Sequence, residues 1–115
     1  MNGYELNEEL NAKLAECDSS IREMRKSGRN LAQAEAAYRS ALAAKMLELR
    51  AKGQPASVLK DLARGDSSVN ALLFQFDLAA SDHEADKEVV MLRKREADVI
   101  REQLAREWSR AGWSR

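Results

Sequence analysis

The only Pro of the chain, Pro55, and two of its five Gly, Gly53 and Gly65, fall within residues 53–67. Roughly fifty residues of strong helix formers lie on each side of that stretch. Glu48-Leu49-Arg50-Ala51-Lys52 reads as the end of a helix, with cations suited to its negative pole. Gly53 can take the left-handed conformation that closes such an end. Pro55 has no amide hydrogen and a fixed φ, so it stops one helix and can open another. Residues 56–64 suffice for a short helix with Val58, Leu59 and Leu62 on one side, and Gly65 ends it. Asp66, Ser67 and Ser68 then offer side-chain oxygens to cap a second long helix. The expected fold is all-α: a long antiparallel two-helix hairpin, coiled-coil-like, with a short helix at its tip. One domain over 1–115 is expected, with helices over about 4–52, 56–64 and 67–110 around a tip at 53–66.

Apolar spacing supports this. In the first arm Leu14, Cys17, Ile21, Met24, Leu31, Tyr38, Leu42 and Leu49 recur at helical intervals, with Leu6 and Leu10 upstream. Ser27-Gly28-Arg29-Asn30 is a weak point, since Gly costs about 1 kcal/mol against Ala inside a helix. The stripe keeps its phase across it, which favours continuity over a kink. In the second arm the stripe is Val69, Leu73, Phe76, Ala80, His83, Lys87, Val90, Lys94, Ala97, Leu104 and Trp108. Val89, Met91, Leu92, Val99 and Ile100 widen the apolar surface beyond one seam, so further helices are expected to pack there. A homodimer forming a helical bundle would supply them.

Charge gives an independent reason for the hairpin. The chain carries 19 basic and 19 acidic residues, but in blocks: residues 1–24 net −4, 25–64 net +6, 65–86 net −5 and 87–115 net +3. Folding at the tip sets each acidic block beside a basic one. Exposed pairs stabilise little, so the pattern fixes orientation and register rather than stability. Matching Leu49 to Val69 pairs residues whose numbers add to about 118. That register sets Leu42 against Phe76, Tyr38 against Ala80, Glu35 against His83, Gly28 against Val90, Leu14 against Leu104 and Leu10 against Trp108. Arms of about 45 residues would run roughly 70 Å at 1.5 Å per residue.

The balanced net charge implies neither nucleic acid nor an anionic membrane. A single cysteine, Cys17, cannot form an intrachain disulfide and fits a reducing compartment. Met1 to Tyr4 lead straight into charged sequence, so no signal peptide is expected, and no apolar run is long enough to span a membrane.

Candidate chemistry is sparse. His83, the only histidine, faces Glu35 in the expected register, and a structural polar contact fits that pair better than a base or a pH switch. Asp82, His83, Glu84 and Asp86 diverge around a helix and make a poor metal set, so no metal or cofactor is expected. Cys17 reads as a small core residue rather than a nucleophile. Arg50, Lys52, Lys60 and Arg64 near the tip, and Arg93-Lys94-Arg95, could meet phosphate. No aromatic platform, Gly-rich phosphate loop or zinc spacing accompanies them. Trp108 and Trp113 are candidate anchors for a partner protein. No nucleophile elbow, paired catalytic carboxylates or P-loop is present, and the chain reads as non-enzymatic.

The run from Ala34 to Lys45, then Leu49 to Ala56, then Asp61-Leu62-Ala63-Arg64-Gly65, and Arg106-Glu107-Trp108, resembles small proteins encoded by phages and prophages of Gram-positive bacteria. These are helical hairpins of uncharacterised function. The resemblance covers about residues 31–110, most specifically Pro-Ala and Leu-Ala-Arg-Gly at the tip. It implies a prophage setting and the cytoplasm of a bacterial host, and it brings no catalytic residue. The function expected is self-association and contact with an unknown protein partner. The alternative is a nucleic-acid-associated accessory factor in phage replication or recombination.

Overall fold

A computed structural model describes residues 2–112. Its elements are α1 (Gly3–Ala51), a 3-10 turn (Ala56–Val58), α2 (Leu59–Gly65) and α3 (Ser67–Arg110). The described residues contain no strand. The two long helices run antiparallel as a hairpin, with the short helix at the tip. The chain divides into two compact units: Met1–Arg25 with Ala85–Arg115, and Lys26–Glu84. In long paired helices each residue touches only its neighbours across the seam, so cohesion stays local.

Each helix end has a visible chemical cause. At the start of α1 the Asn2 side-chain oxygen accepts the Glu5 amide hydrogen at 2.9 Å. The Glu5 carboxylate reaches back to the Asn2 amide at 3.3 Å, which completes a reciprocal capping box. At the other end Gly53 adopts φ +88°. The Gln54 amide donates to the Leu49 carbonyl at 3.1 Å and the Gly53 amide to that of Arg50 at 3.0 Å. Together they form a Schellman motif that satisfies two otherwise orphaned carbonyls. Pro55 follows in extended conformation, φ −68° and ψ 146°, and leads the chain into the 3-10 turn. Between these ends α1 passes through Ser27 to Asn30 without a break.

The unit Lys26–Glu84 contains the tip. Its buried apolar residues are Tyr38, Leu59, Ala63 and Val69. In α2 the buried face is Leu59 and Ala63, four residues apart, while Val58 and Leu62 are exposed. That corrects the face expected from sequence. The Tyr38 and Phe76 rings pack tilted, with centroids 5.9 Å apart. The Tyr38 hydroxyl accepts a hydrogen bond from Arg64 Nε at 3.0 Å, so this one residue joins α1 to both α2 and α3.

The unit Met1–Arg25 with Ala85–Arg115 is centred on Leu6, Ile100 and Leu104, with Leu10 packed against them. Cys17, Val90 and Ala97 are buried further along. Here the seam differs from the expected one. Leu14 is 38% exposed. Lys13 takes the inner position instead, its side chain 24% exposed. On α3 the half-buried or buried positions are Asp86, Arg93, Ile100 and Glu107, not Lys87, Lys94, Arg101 and Trp108. Inner residues 6, 10, 13 and 17 on α1, and 90, 93, 97, 100 and 104 on α3, alternate steps of three and four. That is a heptad seam.

The register is corrected by about one heptad. Lys13 meets Glu96, Glu16 meets Arg93, Ser27 meets His83, Tyr38 meets Phe76 and Lys45 meets Asp66. These numbers add to between 109 and 114, not 118. A slip of one heptad keeps every inner position facing another inner position, so apolar spacing alone is degenerate by that step.

Two glycine substitutions test the account of the tip. Gly53→Ala places a side chain at positive φ and is expected to destabilise by about 1 kcal/mol. An added methyl at Gly65 meets nothing within 4 Å, and that residue has no positive φ. Gly65→Ala should therefore be neutral or stabilising. Urea melts of the two variants give the comparison, and equal losses would contradict the Schellman assignment.

Candidate interaction surface

Among the described residues, those singled out from sequence lie apart from one another on the helices. At the tip Lys52 bonds Glu48 at 3.0 Å. Arg64 is held by the Tyr38 hydroxyl. Among the described residues only Arg50 and Lys60 of that basic group are exposed without such a partner. Of the second basic run, Arg93 lies in an ion-pair network while Lys94 and Arg95 are exposed. Trp108 is 39% exposed. It lines a shallow cleft of about 300 Å³ with Gly3, Tyr4 and Asn7. Trp113 lies outside the described residues. Cys17 is buried. No group of His, Cys, Asp and Glu among the described residues could hold a metal ion. No described helix is long and apolar enough to cross a membrane.

The expected Glu35–His83 pair is not formed. Glu35 pairs along its own helix with Arg39 at 2.6 Å. His83 Nδ1 lies 3.0 Å from Ser27 Oγ. Ser27 is eight residues from Glu35, about 12 Å along the helix, which is the register correction seen at one side chain. The His83 ring also lies over Gly28, where a built Cβ would come within 3.2 Å of Cε1. Gly28 thus earns its place in mid-helix by admitting an imidazole to the seam.

Sequence reasoning missed two charged clusters that cross the seam. In one, Lys13 Nζ reaches Glu96 at 3.0 Å and Glu16 at 3.3 Å. Arg93 reaches Glu96 at 2.8 Å and Glu16 at 3.7 Å. Glu96, then Glu16, hold the Lys13 ammonium above its ordinary pKa. Lys13, then Arg93, push the Glu96 carboxyl below its own. In the other cluster Lys45 bridges Glu48 and Asp66, both at 3.3 Å. Asp66 also caps α3: its Oδ2 accepts the Ser68 amide at 3.1 Å, the Ser68 hydroxyl at 2.5 Å and the Val69 amide at 3.3 Å. The heptad positions of Lys13 and Lys45 were the available signal. The phase chosen through Leu14 hid the first of them.

Several large apolar residues are exposed outside the seam. In the unit Met1–Arg25 with Ala85–Arg115, α3 leaves Val89 40%, Met91 56%, Leu92 54% and Val99 53% exposed. In the other unit Phe74 and Leu78 are exposed at 62% and 45%. No protein-family model, curated protein or solved structure matches the chain.

Two measurements test this geometry. The Ser68 hydroxyl first, then the Val69 amide, lower the Asp66 pKa from 3.8 to about 2. A folded-state pKa below the unfolded one contributes stability that is complete above the unfolded value. It is lost as pH falls through the folded value, so the loss should fall between about pH 4 and 2. Asp66→Asn keeps a capping oxygen but cannot titrate, and thermal melts across that window should decline less steeply than wild type. For the histidine contact, Gly28→Ala should stabilise more in a His83→Ala background than alone, because the ring no longer opposes the methyl. A double-mutant cycle with no coupling would remove that reading.

Proposed function

We propose that this chain is a non-enzymatic helical hairpin that acts through protein–protein contact and associates with copies of itself. The observation that carries the proposal is the set of half-exposed Val89, Met91, Leu92 and Val99 on α3, beyond the seam that α1 covers. The setting we propose, from the resemblance over residues 31–110, is a prophage protein in the cytoplasm of a bacterial host.

Sedimentation velocity across the micromolar range is the direct test. A dimer or larger species whose population grows with concentration is the expected result. A monomer throughout that range would overturn the proposal.

A further inference from the structure

We infer that the second copy docks antiparallel on the outer face of α3, about a two-fold axis beside Leu92. This rests on the self-association proposed above and names the surface that performs it.

The argument starts from spacing. Ala85, Glu88, Leu92, Arg95 and Val99 are all exposed on α3. Their steps are three, four, three and four, so they form a heptad line on one helix face. The inner line Val90, Arg93, Ala97, Ile100 and Leu104 is already used against α1. Val90 and Leu92 are two residues apart, about 200° around a helix, so the second line points away from the first. An α-helix with two such lines in one stretch has two partners' worth of packing surface, and the chain supplies only one.

Charge selects the partner and its direction. Among the described residues neither Glu88 nor Arg95 holds an ion-pair partner in its own chain. They have opposite sign, share a face and straddle Leu92. An antiparallel copy turned about an axis beside Leu92 sets Glu88 of each chain next to Arg95 of the other, which makes two equivalent ion pairs. The same operation sets Leu92 against its own counterpart and Val99 against the small Ala85. A parallel copy would place Glu88 on Glu88 and Arg95 on Arg95, with like charges opposed. The line is therefore complementary to itself in one orientation only, as a two-fold interface requires.

Charge reversal tests this without touching the seam. Glu88→Arg or Arg95→Glu alone turns both pairs repulsive and should weaken the dimer about tenfold or more. The double variant Glu88→Arg/Arg95→Glu re-forms both pairs across the axis and should recover close to wild-type association. Circular dichroism should show unchanged helicity in all three. In a Cys17→Ser background, Leu92→Cys should give covalently linked dimers on oxidation. Single reversals without effect on a dimer that persists, or a double variant that fails to recover, would overturn this face while leaving self-association standing. A wild-type monomer would remove both.

Discussion

Asp66 performs two tasks with one carboxylate. Its Oδ2 takes the first free amides of α3, and its Oδ1 takes the ammonium of Lys45 from α1. The first task decides where α3 begins; the second decides which turn of α1 lies opposite that beginning. Neither would suffice separately. A capped helix can slide along its neighbour by a heptad at little apolar cost, and an uncapped one can fray until the ion pair has no fixed partner. In the unit Lys26–Glu84, Tyr38 adds the third constraint, since its ring packs on Phe76 while its hydroxyl holds Arg64 of the tip. The tip is thus tied to the register, and both to a few polar atoms.

The same logic holds in the unit Met1–Arg25 with Ala85–Arg115. Its apolar centre of Leu6, Ile100 and Leu104 supplies cohesion, which would survive a slip. The Lys13, Glu16, Arg93 and Glu96 cluster would not, because displacement by one heptad separates both contacts that cross between the helices, Lys13 with Glu96 and Glu16 with Arg93. Lysine and arginine at inner heptad positions, with glutamates flanking them, reduce the apolar area a seam can bury, and they specify alignment in return. Ser27 and His83 supply a hydrogen bond in the same role, with Gly28 providing the space.

What could be read in the sequence follows from this division. The reversal at residues 53–66 was legible because Gly53, Pro55, Gly65 and Asp66 each have a local conformational meaning, and local meaning does not depend on the partner helix. Continuity of α1 through Gly28 was legible because the phase of the stripe survived it. The register was not legible. Leu14 and Lys13 are neighbours, and a stripe drawn through leucine excludes the lysine that actually faces α3. Glu35 opposite His83 failed for the same reason, since one heptad of error moves a side chain about 10 Å. The absence of a recognisable chemical motif left no anchor by which to correct it. The α2 face failed on smaller grounds: Leu62 is larger than Ala63, yet Ala63 shares the buried face with Leu59 while Leu62 is exposed.

The inner and outer faces of α3 complete one argument. The inner line of α3 holds Arg93 and Ala97 beside Val90, Ile100 and Leu104, while Leu92 and Val99 sit outside with half their surface in water. If pair stability alone shaped this helix, the large apolar residues would occupy the seam and the ions would face solvent, since burying a methylene stabilises by about 0.8 kcal/mol. The mixed arrangement is intelligible if the outer face docks a second copy, as proposed above. The inner one, aligned by ions, needs little apolar area because its two strands belong to one chain and meet at high effective concentration. An outer face that docks a second copy, as proposed above, would have to overcome the loss of translational freedom between separate molecules, which is where apolar area is most needed.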